Sequence, residues 1–95
     1  MILVSALAEQ DLESIYDYGI DSFGLAQAQK YQAKLLADFN KIAIMPAIWR
    51  DASILGAGLF RVNSGRHAIF FRKVDEGIRI VRVLNQSMDM KQHLI

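Results

Sequence analysis

The segment LFRVNSGRHAIFFRKVDEGIRIVRVLNQSMD, residues 59–89, decides the fold because strand-like runs alternate in it with turn residues. Phe60 and Val62 alternate with Arg61 and Asn63, and Asn63-Ser64-Gly65 supplies a turn. His67 to Val74 predicts a second strand. Asp75-Glu76-Gly77 is typical of a hairpin loop, with glycine where a left-handed residue is needed, and Ile78 to Gln86 predicts a third strand. The segment therefore indicates an antiparallel meander.

The register of the second hairpin depends on the length of its loop. A three-residue loop pairs Val74 with Ile78, whereas a two-residue loop separates Arg72 from Arg82 on the sheet. The position of Gly77 favours three residues. In that register one face of the hairpin carries Ala68, Phe70, Arg72, Ile80, Arg82 and Leu84.

The residues before this segment predict a strand and a helical hairpin. Met1 to Val4 suits a short strand, and Ser5 can cap the helix that follows. Gly24 separates two amphipathic helices, and Pro46 ends the second. The apolar positions are Ala8, Leu12, Ile15, Tyr16, Gly19 and Phe23 in the first helix and Ala28, Tyr31, Leu35, Phe39 and Ile42 in the second.

Helices joined this tightly pack as an antiparallel pair, and we expect that pair on one face of the sheet, with the other face free for a site. Residues 47–58 lose periodicity and predict a loop. Asp89 can cap a short C-terminal helix. The fold class is α+β, in a single domain of residues 1–95.

Composition excludes several classes of protein. The chain has no cysteine, which excludes disulfides and thiolate zinc sites. Its apolar runs fall short of the roughly 20 residues of a membrane span, so we expect a soluble cytoplasmic protein. Residues 1–48 carry six acids against three lysines, whereas residues 49–95 carry eight bases against four acids. This asymmetry indicates an anionic partner, nucleic acid or acidic protein, or else salt bridges between the halves.

Few residues suit chemistry. His67 opens a strand without a relay partner in sequence, which favours a structural or hydrogen-bonding role. Asp89 and His93 lie one helical turn apart and could share a metal ion, but the sequence offers no third ligand, so no metal is expected. Arg72 and Arg82 interrupt apolar strands and must be paired or reach a ligand. Trp49 is either a core residue or an aromatic at the rim of an interface.

Four stretches together resemble one family: SALAEQDLESIYDYGIDSFGLAQAQKY (residues 5–31), MPAIWR (45–50), GLFRVNSGRHAIFFR (58–72) and GIRIVRVLNQSMDMKQHL (77–94). They are similar to the ParE toxins of the RelE/ParE superfamily, from bacterial type II toxin–antitoxin systems. The resemblance implies the α+β fold predicted above and a ParD-like antitoxin whose C-terminal segment wraps the toxin in a hetero-oligomer. The short N-terminal strand is compatible with a trimmed start.

The two branches of the superfamily act differently. Characterised ParE members poison DNA gyrase, whereas RelE members cleave messenger RNA on the ribosome. The ribonucleases usually carry an arginine where this chain has Ala68, and a tyrosine or histidine acid/base near the C-terminus, where His93 is the sole candidate here. The resemblance therefore favours a gyrase-directed, non-enzymatic toxin without cofactor, membrane contact or sequence-specific nucleic-acid contact. Asn85 and Ser87 stand where many ParE sequences have His and Arg.

The alternatives are an RNA endonuclease that uses Arg61, Arg82 and His93, and a degenerate toxin that only binds its antitoxin. The residues expected to contact the target are Arg61, His67, Arg72, Arg82, Met88 and His93. The residues expected to contact the antitoxin, in a groove between helices and sheet, are Tyr16, Tyr18, Ile20, Leu36 and Trp49.

Overall fold

One mixed sheet and two long helices make up the computed structural model, which describes residues 1–94. The elements are β1 (Ile2–Val4), α1 (Ala6–Phe23), α2 (Leu25–Ile44), a 3-10 turn (Pro46–Ile48), β2 (Arg50–Asp51), β3 (Leu59–Ser64), β4 (His67–Val74), β5 (Gly77–Asn85) and α3 (Met90–Leu94). The strand order is β1-β5-β4-β3-β2. The pair β1 and β5 is parallel and the other pairs are antiparallel.

The predicted helix boundaries are confirmed. Ser5 Oγ accepts a hydrogen bond from the Ala8 amide at 3.0 Å and donates one to the Val81 carbonyl at 2.8 Å, so the cap also ties α1 to β5. Gly24 joins the helices at φ +88°, a conformation that disfavours a side chain. The Asp89 side chain accepts from the Lys91 amide at 3.1 Å at the start of α3.

Both faces of the sheet are covered. The helix-facing core contains Ala8, Leu12, Leu35, Phe39, Ile42, Ile69, Phe71, Ile78, Ile80 and Val83. The outer core contains Ala52, Leu59, Ala68, Phe70 and Leu84, with Leu55, Met90 and Leu94 packed on it. The expectation of a free outer face is therefore wrong: the segment after β2 and α3 bury it, because the meander is apolar on both faces.

Phe23 and Tyr16, both predicted on the apolar stripe of α1, belong to neither core. Phe23, the last residue of α1, is 61% exposed and packs edge-to-face on Tyr18, with ring centroids 6.4 Å apart. The apolar spacing of α1 continues to its last residue, but the core does not extend as far as that end of the helix. The described residues 1–94 include no helix long and apolar enough to cross a membrane.

The predicted register is half right. Val74 pairs with Gly77, so the loop has two residues, and Arg72 lies opposite Arg79. A bulge in β5, opposite Phe70 and Phe71, then shifts the pairing by one residue because Val81 has no partner on β4. Beyond it Phe70 lies opposite Arg82 as predicted. Ile80 belongs to the helix-facing core, and the prediction that it shares a face with Phe70 is wrong because the bulge breaks the alternation.

The segment predicted as a loop contains β2, which pairs Arg50 with Arg61 and Asp51 with Phe60. Two residues are too short to produce a periodic signal. After β2, the Asp51 side chain accepts from the Ser53 amide at 2.8 Å and starts the turns that cover the outer core.

Candidate functional site

A groove of about 610 Å³ lies between the helical hairpin and one end of the sheet. The β3–β4 turn and the end of β5 form its sheet side, with Gly65, Arg66, His67 and Asn85. Its apolar wall is formed mainly by Ile15, Tyr18, Phe23, Ala28, Tyr31 and Met88. Several of these apolar side chains face solvent: Tyr18 is 66%, Phe23 61% and Met88 44% exposed.

The floor of the groove is a tyrosine–histidine pair. The Tyr31 hydroxyl lies 2.6 Å from His67 Nδ1 and accepts a hydrogen bond from the Arg66 amide at 3.0 Å. Gly65 is required beside it: its φ is +56°, and a Cβ there would lie 2.7 Å from the tyrosine oxygen. The pair therefore joins α2 to the β3–β4 turn, and the hydrogen-bonding role predicted for His67 is confirmed.

Burial lowers the pKa of His67, because the charged imidazolium loses hydration in the groove. The negative charge of Asp11 opposes this shift. The net direction is downward, which favours the neutral imidazole over the imidazolium.

A second cavity of about 110 Å³ adjoins the groove and shares His67, Asn85 and Met88 with it. Asp11, Arg82 and His93 also line it. Two nitrogens of the Arg82 guanidinium donate to the Asp11 carboxylate at 2.8 and 2.9 Å, and the third donates to the His93 carbonyl at 3.0 Å.

The same carboxylate accepts from the Val83 amide at 2.9 Å. This amide lies on β5 beyond the last residue that pairs with β1, so Asp11 satisfies an open strand edge. Hydrogen bonding to Asp11 raises the pKa of Arg82. Arg82 therefore joins α1, β5 and α3 at this edge.

The residues predicted to contact the target fall into two groups. His67, Met88, Arg82 and His93 surround the two adjoining cavities. Arg61 lies on the outer face, with its guanidinium 5.5 Å from the centre of the Phe70 ring. Arg72 donates to the Ala57 carbonyl at 3.1 Å and holds the loop over the outer core.

Of the residues predicted to contact the antitoxin, Tyr18 lines the groove. Tyr16, Ile20 and Leu36 line neither cavity. Trp49 packs at 5.1 Å on both Phe60 and Phe71, and its indole N–H donates to the Ile42 carbonyl at 2.8 Å. The core alternative for Trp49 thus agrees with its contacts.

Sequence reasoning missed three residues of this site. Tyr31 was assigned only to the apolar stripe of α2, and Phe23 to the core. Asp11 had a detectable signal: it stands beside Leu12 on the apolar side of α1, and Arg82 in an apolar strand needed a partner. Residues 1–94 contain no cluster of three or more His, Asp or Glu side chains that could hold a metal ion.

Comparisons with known proteins agree with this architecture. Residues 2–90 match the model of a family described as "ParE toxin of type II toxin-antitoxin system, parDE". The Toxin ParE1 of Mycobacterium tuberculosis is 36% identical over 93 residues, which cover 97% of this chain and 95% of that protein. The Toxin ParE1 of Caulobacter vibrioides is 37% identical over 91 residues, 96% and 94% of the two chains.

A solved structure has the same fold. It is described as "Chromosomal ParDE TA system from P. aeruginosa", and one of its chains aligns with a TM-score of 0.75 at 17% identity, over 88% of this chain and 92% of that one. The family match over nearly the whole chain and relatives at this level of identity lead to one conclusion. The chain belongs to the ParE toxin family of type II toxin–antitoxin systems.

Proposed function

We propose that this toxin acts by binding proteins and not by catalysis, that its target is DNA gyrase in the cytoplasm, and that a ParD-like antitoxin neutralises it. The observation that carries the antitoxin part is the apolar groove between the helical hairpin and the sheet. Membership of the ParE family supports the gyrase part, because characterised members poison gyrase.

The shape of the groove suits an amphipathic helix. Such a helix places apolar side chains at i, i+3, i+4 and i+7 into a hydrophobic groove. Tyr18, Phe23 and Met88 are large apolar side chains left in solvent at its rim, and a cluster of this kind marks an interaction surface. Tyrosine is enriched among the residues that supply most of the binding energy once a partner buries them.

The ribonuclease alternative fits the positions of its residues less well. In-line cleavage of RNA needs an acid, a base and a phosphate contact that converge on one point. Arg61 lies over Phe70 on the outer face, whereas Arg82 and His93 line the small cavity. The Arg82 guanidinium is occupied by Asp11 and by the His93 carbonyl. This separation supports a binding mode of action.

Controlled expression in a bacterial host tests the mode of action. We expect growth arrest with DNA breaks and induction of the SOS response, while messenger RNA stays intact; co-expression of the antitoxin should relieve all of these effects. Arrest with intact DNA and degraded messenger RNA would contradict the proposal. Normal growth combined with tight antitoxin binding would identify a degenerate toxin.

A pair of exposed apolar residues tests the groove. Tyr18→Ser with Phe23→Ser should weaken antitoxin binding at least tenfold, because burying one such side chain contributes about 1.5–3 kcal/mol. Ile54→Ser is the matched control, since Ile54 is 89% exposed and lies outside the groove. Calorimetric titration measures both. Equal affinities of the two variants would place the antitoxin elsewhere.

A further inference from the structure

The two nitrogens of the His67 ring have different surroundings. Nδ1 lies 2.6 Å from the Tyr31 oxygen, a distance usual for an O–H donor and short for an N–H donor. From this distance we infer that the tyrosine donates to Nδ1 and that neutral His67 carries its proton on Nε2. Within residues 1–94, Nε2 has no hydrogen-bond partner, although His67 lines both cavities. The ring thus offers a donor to whatever occupies this end of the groove.

Among the described residues, one unpaired cation lies close to this donor. The exposed Arg66 side chain lines the groove, and the salt bridges found within residues 1–94 do not include it. Arg82 and His93 line the adjoining cavity. The acid there, Asp11, already accepts hydrogen bonds from Arg82 and from the Val83 amide. An additional anion would therefore meet a free donor and a free guanidinium.

We propose that this end of the groove is a carboxylate-binding site, in which the His67 Nε2–H and the Arg66 guanidinium hold one acidic side chain of the docked antitoxin. The source of the carboxylate rests on the proposed function; the site itself rests on the geometry. The antitoxin helix would then carry an Asp or Glu among its apolar anchors. A carboxylate suits this site because a charge-assisted hydrogen bond is about twice as strong as a neutral one.

The site also couples docking to protonation. If His67 takes up a proton, Nδ1–H donates to the Tyr31 oxygen, and the hydroxyl hydrogen turns to the Ser64 carbonyl at 3.3 Å. The tyrosine oxygen still accepts from the Arg66 amide, so every group stays paired. The groups that face the ring are Asp11 from α1, Tyr31 from α2, Arg66 from the turn, Arg82 from β5 and His93 from α3. Among these groups Asp11 favours the imidazolium form of His67, and the incoming carboxylate favours it as well.

Sodium acetate is the probe for the site in the isolated full chain. Acetate is exchanged for chloride at constant ionic strength, near pH 6.5, and followed by NMR of the His67 ring and the Arg66 side chain. We expect saturable shifts at both residues and an upward shift of the His67 pKa. Arg66→Ala should reduce the response severalfold, whereas Arg79→Ala, an exposed arginine outside the groove, should leave it unchanged. The proposed site would be refuted if acetate and chloride gave the same chemical shifts and the same pKa of His67.

Tyr31→Phe separates positioning from packing. Without the hydroxyl, Nδ1 is free and neutral His67 distributes between its two tautomers, which nitrogen chemical shifts report. We expect a mixed population and a weaker acetate response in the variant. A single Nε2–H tautomer that persists in Tyr31→Phe would contradict the role assigned to the tyrosine.

Titration with the antitoxin at pH 6, 7 and 8 tests the source of the carboxylate. Because docking raises the pKa of His67, affinity should increase as the pH falls, by at most about tenfold per pH unit for one proton. His67→Gln should remove this dependence and His93→Gln should retain it. A slope that survives His67→Gln would overturn the proposal. If the wild-type chain binds no antitoxin, the proposed function fails, and the acetate titration still decides the site.

Discussion

Replacing Asp11 by alanine tests how far one carboxylate holds α1 to the open edge of β5. The change removes two hydrogen bonds from Arg82, at 2.8 and 2.9 Å, and one from the Val83 amide. Both partners of the ion pair are largely buried, with side-chain exposures of 16% for Arg82 and 13% for Asp11. The variant therefore leaves a guanidinium and a strand amide without their acceptor.

The expected cost follows from this burial. Removing one partner of a fully buried pair costs about 3–5 kcal/mol. Arg82 is partly exposed and keeps its contact with the His93 carbonyl, so we expect about 2–3 kcal/mol for Asp11→Ala. At roughly 4–8 °C per kcal/mol for a domain of this size, the midpoint of thermal unfolding should fall by about 10–20 °C. Urea unfolding followed by the fluorescence of Trp49 measures the free energy directly.

Two further variants make this test decisive. Glu13→Ala replaces an exposed acid on the same helix and corrects for the helix propensity of alanine; we expect a change within about 0.5 kcal/mol. Asp11→Ala with Arg82→Met should recover much of the loss, because the unpaired charge is the main cost. The reasoning is refuted if Asp11→Ala is as stable as Glu13→Ala, or if the double variant is less stable than Asp11→Ala.

Three further predictions, tested with four variants, concern single features of the fold and site. Gly65→Ala should cost about 2 kcal/mol or more in urea unfolding, because its left-handed φ combines with a clash at Tyr31; Gly58→Ala, at φ +73° with no atom within 4 Å, should cost about 1 kcal/mol, and equal costs would exclude the clash. Trp49→Ala should lose about 3–5 kcal/mol of stability, and weaker antitoxin binding by a fully stable variant would instead place this residue at the interface. Burial lowers the pKa of His67 in the folded chain. The contribution of neutral His67 to stability is therefore complete above the unfolded-state pKa of about 6.5, and it is lost as the pH falls through the lower folded-state pKa. A His67→Gln chain with the same loss of stability between pH 7 and 5 would contradict this.

The elements of this fold could be predicted because each has a local signal. Ser5, Gly24 and Pro46 mark the ends of the helices through hydrogen bonding and backbone restriction, which depend on neighbouring residues alone. The turn at Gly65 and the strands beside it are marked in the same way. The two-residue strand β2 and the parallel position of β1 have no such signal, because both depend on pairing between distant segments.

The candidate site could be predicted less well. The apolar groove was expected in general terms, and Tyr18 was assigned to it. The contact between Tyr31 and His67 joins residues 36 positions apart, and the contact between Asp11 and Arg82 joins residues 71 positions apart. The apolar surroundings of Arg82 predict that its guanidinium is paired or reaches a ligand, but the sequence identifies neither which of the two holds nor which acid is the partner.

The bulge in β5 links the irregular part of the fold to the site. The pairing that starts at the two-residue turn would place His67 opposite Leu84 if it continued unchanged, whereas the shifted pairing places His67 opposite Asn85. The shift lets Leu84 pack in the outer core and brings the polar Asn85 to the groove beside His67. Ile80 and Val83 both face the helices. In a regular strand, one residue separates neighbours on the same face, but here the bulge places two residues between them, Val81 and Arg82. The side chain of Arg82 therefore reaches the strand edge, where Asp11 and the His93 carbonyl meet it.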